Sequence, residues 1–183
     1  MKLTDDERAM LDGRGGPAQQ KAMELLVRYG EALGAERFVD TNNVAGVPGS
    51  ANPFLQNYYK GKGTSEHDAI FSYFDLDSDE LVEAPQALVQ TCCLQGGADP
   101  DHWETLGTKP EVFQIHKDRE AFAASHGVKI LKTCTPYIVG NTPARGEHCA
   151  WMESSAVVYC NSVLGARTNT EGRESTSAAM LTG

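Results

Sequence analysis

The sequence predicts an α/β fold with helices layered on a mixed sheet. Three observations lead there. Helix-periodic stretches alternate with short apolar runs, glycines close most of the helices, and the chemically capable residues fall just after strand ends.

Taken in order, Thr4 and Glu7 form a capping box that opens a short helix over about residues 5–12, stopped by Gly13. Pro17 suits the first turn of a second helix. Ala18, Ala22, Leu25, Leu26, Tyr29 and Leu33 recur along it at helical spacing, and Gly34 closes it. Residues 37–40 read as a strand entering a loop rich in Asn, Gly and Pro over 41–53. Residues 54–62 read as irregular or a short helix, and 65–73 as a helix capped by Ser65. Leu81 with Val82, and residues 87–93, are strand-like, the second run ended by Gly96 and Gly97. Residues 99–106 form a turn or short helix. Pro110 opens the clearest helix, which runs to His126 and stops at Gly127. Residues 128–133 make a strand feeding Cys134. The apolar stretch 147–165 reads as a buried helix. A last helix starts at Arg173 and simply stops at Gly183, so the chain is read as part of a longer protein.

The bulk properties exclude several classes. The chain has 183 residues, 40% of them hydrophobic, and a net charge of −9. It has no basic stripe, so neither nucleic acid nor an anionic membrane is expected as partner. The N-terminal residues lack the apolar core of a signal peptide, and no apolar run is long enough to span a bilayer. A cytoplasmic protein is expected. Five cysteines in a chain this long point to free thiols, not a disulfide scaffold. Asp75, Asp77, Asp79 and Glu80 imitate a calcium loop without its glycine and terminal glutamate, and read as a solvated acidic turn.

The segment from Lys132 to Asn169 concentrates the chemistry. Cys134 sits at a strand end before Pro136, where rigid backbone can present a thiol to a crevice. Its bland alternative is an inert core cysteine. Cys134, Cys149 and Cys160 lack the spacing of zinc ribbons or ferredoxins. Cys92 and Cys93 are adjacent, so on a strand at most one can face a given site. His148 can shuttle a proton or bind metal, or simply hydrogen-bond structurally. Glu153 stands in an apolar run and needs a partner, which makes it a better catalytic candidate than a surface acid; a helix-capping acid or a buried ion pair with Arg167 is the structural alternative. Ser154, Ser155, Asn161 and Ser162 can bind a polar substrate or cap helices. Arg167 suits a carboxylate or phosphate, or a surface ion pair.

Several motifs taken together resemble one family. They are Lys2-Leu-Thr-Asp-Asp-Glu, Met10-Leu-Asp-Gly13, Cys134-Thr-Pro-Tyr137, Gly146-Glu-His, Ala150-Trp, Glu153-Ser-Ser-Ala156 and Asn161-Ser-Val-Leu-Gly-Ala-Arg-Thr-Asn169. With them the chain resembles the catalytic part of aconitase X enzymes, from its first residues to its last. The resemblance implies part of an aconitase-type catalytic body, with residues 1–183 as its N-terminal portion. It implies an iron–sulfur cluster and loss of water from a small hydroxy acid such as cis-3-hydroxyproline; some relatives take phosphomevalonate. A small swivelling domain or subunit would complete the enzyme, and the chain alone would be inactive. Cys134 would be a cluster ligand. Gly46, Val47 and Pro48 would form a substrate loop, where Pro48 replaces a usual serine and removes a hydroxyl and a backbone donor. Gln95 and Gly96 stand nearest to an expected Asn-Pro pair, and Glu153 with Ser154 would touch the substrate. Two other classes compete: a non-catalytic binding or assembly subunit, and an enzyme with Cys134 as nucleophile and His148 as base.

Overall fold

The computed structural model describes residues 1–46, 66–93, 98–169 and 172–183. The expected α/β class is borne out. Five strands form one sheet: β1 Asn43–Gly46, β2 Gln90–Cys93, β3 Val128–Ile130, β4 His148–Trp151 and β5 Arg167–Thr168. Their order is β3-β2-β1-β4-β5. Where a mixed sheet was expected, every pairing among the described residues is parallel. A parallel sheet must be covered on both faces. Here β1 is buried at all four positions.

Strand pleating sorts neighbouring side chains to opposite faces. Val44, Cys93, Val128 and Ala150 join one core cluster; Ala45, Cys92, Cys149 and Trp151 join the other. The adjacent cysteines therefore face different layers. The first layer is built by α2 (Pro17–Ala32), which buries Ala18, Ala22 and Leu25, and by a C-terminal helix over Arg173–Thr182. The second is built by Ala156, Cys160 and Ala166, with Tyr137 packed at its margin.

The N-terminal helix α1, Asp5–Leu11, has the expected capping box: Thr4 Oγ1 accepts from the Glu7 amide at 3.2 Å and the Glu7 carboxylate accepts from the Thr4 amide. The helix expected over 65–73 appears as α3, Glu66–Ile70, continuing into a π-helical turn at Phe71–Asp75. Helix α4, Pro110–Ser125, ends where foreseen. Helix α5, Ser154–Val158, runs into a second π-helical turn, Tyr159–Val163, and α6 is the C-terminal helix Arg173–Thr182. Among the described residues no helix is long and apolar enough to cross a membrane.

Four expectations are corrected. Residues 37–40 form no strand; Val39 is half exposed, and the strand starts at Asn43, whose polar side chain finds partners in the core. Leu81 and Val82 lie outside any strand. The stretch 147–165 is not one helix. Its first part is β4, because a short apolar run buried on both sides of a parallel sheet has no period that separates it from a helix. Asp75 is not solvated: it is fully buried, accepts from Ser177 Oγ at 3.0 Å, and lies 4.0 Å from Arg173 Nε. Asp77, Asp79 and Glu80 are exposed, as expected for an acidic turn.

Candidate functional site

In a sheet of this order the chain leaves β1 for opposite sides, and the crevice at the C-terminal strand ends beside β1 is where α/β proteins bind ligands. Gly46 ends β1 there, and Glu153 follows β4 by two residues. A Cβ on Gly46 would stand 2.5 Å from Met152 Cγ and 3.0 Å from Thr176 Cγ2. Only glycine therefore lets β1 end against the segment that carries Glu153. Gly46→Ala is expected to push Met152 aside and lower stability by about 1–3 kcal/mol, measured by urea unfolding.

Strand β3 lies three strand spacings, about 14 Å, from β4, so the chain that leaves β3 must turn back over the sheet for Cys134 to come near Glu153. The chain must pass from the C-terminal end of β3 to the N-terminal start of β4. Over residues 131–147 it does so with only a 3₁₀ turn, Pro136–Ile138, in place of the usual crossover helix. Leu131 N donates to Cys93 O at 3.2 Å as this crossover leaves the sheet. Lys132 then adopts φ +53°, a conformation uncommon for a residue with a side chain, and its ammonium pairs with Glu120 at 2.9 Å. Thr133 and Thr135 hydroxyls bond each other at 2.8 Å around Cys134.

Cys134 is the exposed cysteine; Cys92, Cys93, Cys149 and Cys160 are buried. Its thiol lies near enough to the Glu153 carboxylate to sense that charge. Desolvation first, then the negative charge of Glu153, hold the thiol above the ordinary cysteine range. A nucleophilic cysteine needs the opposite shift. Alkylation of Cys134 by iodoacetamide at neutral pH is therefore expected to be slower than that of a free thiol. Glu153→Gln should accelerate it, since removing the charge removes the penalty on the thiolate. Mass spectrometry of the Cys134 peptide follows both rates, and an unchanged rate in Glu153→Gln would remove the contact.

The geometry does not bring every expected residue here. His148 opens β4 and Arg167 opens β5, in register at the N-terminal edge, with Arg167 Nη1 3.4 Å from His148 Nε2. His148 is thus about 10 Å along the strand from the end that carries Glu153. Arg167 pairs with His148 in place of the foreseen pair with Glu153. Ser154 is exposed at the start of α5, beside Glu153. Val47, Pro48, Gln95 and Gly96 lie outside the described residues, as do Ser65 and the segment 54–62.

A groove of about 650 Å³ runs between α1, α2, α6 and the β4–β5 edge and includes His148 and Arg167. It includes none of Gly46, Cys134, Glu153 or Ser154. Among the described residues no group of three or more His, Cys, Asp or Glu side chains could hold a metal ion. The residues present fit one corner of a metal cluster: a single accessible thiol beside a carboxylate.

One feature was missed by the sequence reading. The amides of Asn43 and Asn141 pair face to face, with Asn43 Nδ2 donating to Asn141 Oδ1 at 2.7 Å and Asn141 Nδ2 to Asn43 Oδ1 at 3.1 Å. Asn141 also donates to Cys92 Sγ at 3.2 Å, and Trp151 Nε1 to Asn43 Oδ1 at 3.2 Å. Burial pushes the Cys92 thiol up to about 11 despite that hydrogen bond. An unusual polar residue within a buried strand was the available signal.

Comparison with known proteins bears on the same residues. A family model described as aconitase X first domain matches residues 1–183. The phosphomevalonate dehydratase large subunit of Methanothermobacter thermautotrophicus is 40% identical over 185 residues, covering 99% of this chain and 42% of the relative. That of Thermococcus kodakarensis is 37% identical, covering 100% and 41%. The cis-3-hydroxy-L-proline dehydratase of Hypocrea jecorina is 32% identical over 169 residues, covering 92% and 25%. Among solved structures, the holo-form of Thermococcus kodakaraensis aconitase X superposes with a TM-score of 0.66 at 34% identity, over 100% of this chain and 41% of that one. The chain thus spans about two-fifths of the length of its large-subunit relatives.

Proposed function

The chain belongs to the aconitase X family, and from that premise we propose that it is the N-terminal part of an iron–sulfur-dependent dehydratase acting on a small hydroxy acid. The observation that carries the reading is the exposed thiol of Cys134, near enough to Glu153 to sense its charge. A soft ligand that follows β3 and an acid that follows β4 come near each other.

In this reading Cys134 supplies one thiolate to the cluster. The remaining ligands come from the part of the protein that this chain does not contain, which leaves these residues inactive alone. When bound, the cluster supplies a Lewis acid for the departing hydroxyl. The chain's own residues do the rest. Glu153 is set to take the proton from the carbon next to the one that bears the departing hydroxyl, so that the C–H electron pair forms the new double bond as water leaves. Ser154, exposed next to it, offers a hydroxyl to a substrate oxygen. Gly46 keeps the β1 end low enough for the substrate to approach, and Val47, Pro48, Gln95 and Gly96, next along the sequence after β1 and β2, are the proposed substrate contacts. His148 and Arg167, at the far edge, take no part in the reaction.

Of the two substrates in the relatives' names, the higher identities favour phosphomevalonate over cis-3-hydroxy-L-proline. Those relatives are named large subunits, so a separate small subunit is the proposed partner.

The test uses the full-length protein with its small subunit, purified without oxygen and reconstituted with iron and sulfide. Bound iron, visible absorbance and loss of water from each substrate are measured. The parent should hold a cluster and dehydrate phosphomevalonate, and Cys134→Ser should lose both properties. Turnover undiminished in Cys134→Ser takes that residue out of the site. A parent that binds no cluster and turns over neither substrate leaves a non-catalytic assembly subunit.

A further inference from the structure

We propose that the Asn43–Asn141 amide pair is a positioning device that sets Cys134 against Glu153. The inference rests on the reading of these two residues as the site, and adds the groups that hold them in place.

The need follows from the crossover. Residues 131–147 pass from β3 to β4 with only one 3₁₀ turn, Pro136–Ile138, so short local hydrogen bonds such as Val139 N to Pro136 O at 3.2 Å replace the ladder of a crossover helix. The segment is tied at its start by Leu131 N to Cys93 O. Past Cys134 it is held by fully buried Pro136, by the Tyr137 ring stacked on Tyr159 at 3.7 Å, and by Asn141. Its backbone amide closes the 3₁₀ turn on Pro136 O at 3.0 Å, and its side chain enters the core. There it is 8% exposed, and Asn43 is 5% exposed.

The bridge has a definite reach. Asn141 binds β1 through Asn43 and β2 through Cys92 Sγ. Asn43 Oδ1 in turn accepts from the Trp151 indole, and Trp151 lies two residues before Glu153. One end of the network therefore holds the segment carrying Cys134, and the other holds the strand carrying Glu153. The second side of Trp151 is fixed as well, since its backbone amide donates to Asn169 Oδ1 at 2.9 Å. Two amides facing each other satisfy two hydrogen bonds in one geometry, whereas a buried amide that loses its partner is left with an uncompensated polar group. To the apolar anchoring of Pro136 and Tyr137 the paired amides add directional contacts, which are satisfied in one register.

Neither asparagine touches the Cys134–Glu153 pair, so both are positioning residues. The test is made on the full-length protein, iron-free and then reconstituted. Asn141→Ala and Asn43→Ala break the bridge from opposite sides. In the parent, Glu153→Gln changes the alkylation rate of Cys134; in either alanine variant that dependence should be lost. The double alanine variant should lose no more than each single one, as residues of one unit are non-additive. Iron affinity after reconstitution should fall about 10–100-fold in each. Asp75→Ala, in the opposite layer, lowers stability but should leave the Cys134–Glu153 dependence intact, which separates positioning from general destabilisation.

Undiminished dependence on Glu153 in both alanine variants overturns the proposal, and so does equal loss in Asp75→Ala. A measurement on the unaltered protein guards against variants that fail to fold: fast solvent exchange of the Asn43 and Asn141 side-chain amides and the Trp151 indole also overturns it. If the parent itself binds no iron, the dehydratase reading fails while the alkylation and exchange results still decide the role of the amides.

Discussion

Glu153→Gln in the full-length protein is expected to cut turnover about 10²–10⁴-fold, the usual contribution of a positioned general acid or base. Bound iron should be unchanged. Gln has nearly the shape of Glu, so the crevice should stay assembled. What it loses is the capacity to hold and release a proton. The split between kcat and KM then assigns the role. A fall in kcat with KM steady means an interaction made in the transition state, and a rise in KM alone means a substrate contact. Turnover equal to that of the parent would return Glu153 to the role of an acid that starts α5. The same substitution should accelerate Cys134 alkylation in the iron-free protein, so one variant reports on both partners of the contact.

How far the sequence was legible depended on whether the signal was local. Capping and periodicity fixed the ends of α1, α2 and α4 within a residue or two, because the residues that start and stop a helix are close neighbours in the chain. Strands β1 and β4 were hidden. Asn43-Val-Ala-Gly46 has the composition of a turn, and only its burial between β2 and β4 makes it a central strand. Glu147 to Gly165 mixes apolar residues with Glu153, Ser154 and Ser155 without a helical or strand period, so the change from β4 to α5 after Trp151 is not marked by periodicity. Asp75 looked solvated among its acidic neighbours; its partner Ser177 is 102 residues away. The site followed the same rule. Cys134 was recognisable by its place after a strand and by its motif, and Glu153 by its apolar surroundings. Their contact, and the separation of His148 and Arg167 from it, depended on strand direction, which sequence did not disclose. The Asn43–Asn141 pair joins residues 98 apart, and its one signal, a polar residue in a buried strand, could be read only once β1 was known to be a strand.

Trp151 should carry the largest single share of stability near the site. It is fully buried at the end of β4, packed in the layer of Ala45, Cys92, Cys149, Ala156 and Cys160. Trp151→Ala removes the largest side chain of that layer and is expected to cost about 3–5 kcal/mol. Against a total of about 5–15 kcal/mol for an ordinary domain, this is enough to unfold much of the population at moderate temperature. Denaturant unfolding of the full-length protein measures it, and a loss under about 1 kcal/mol would mean the layer collapses around the gap. Trp151→Phe separates volume from polarity. The ring keeps most of the packing, but the indole donor to Asn43 is gone, at a net cost of about 0.5–1.5 kcal/mol. Asn43 Oδ1 still accepts from Asn141, so the amide pair survives in this variant while its link to the strand carrying Glu153 is cut. Trp151→Phe should therefore remain folded and yet loosen the Cys134–Glu153 contact. A folded Phe variant whose Cys134 reactivity still depends on Glu153 would show that β4 is held by the sheet alone and that the indole bond serves stability, not the site.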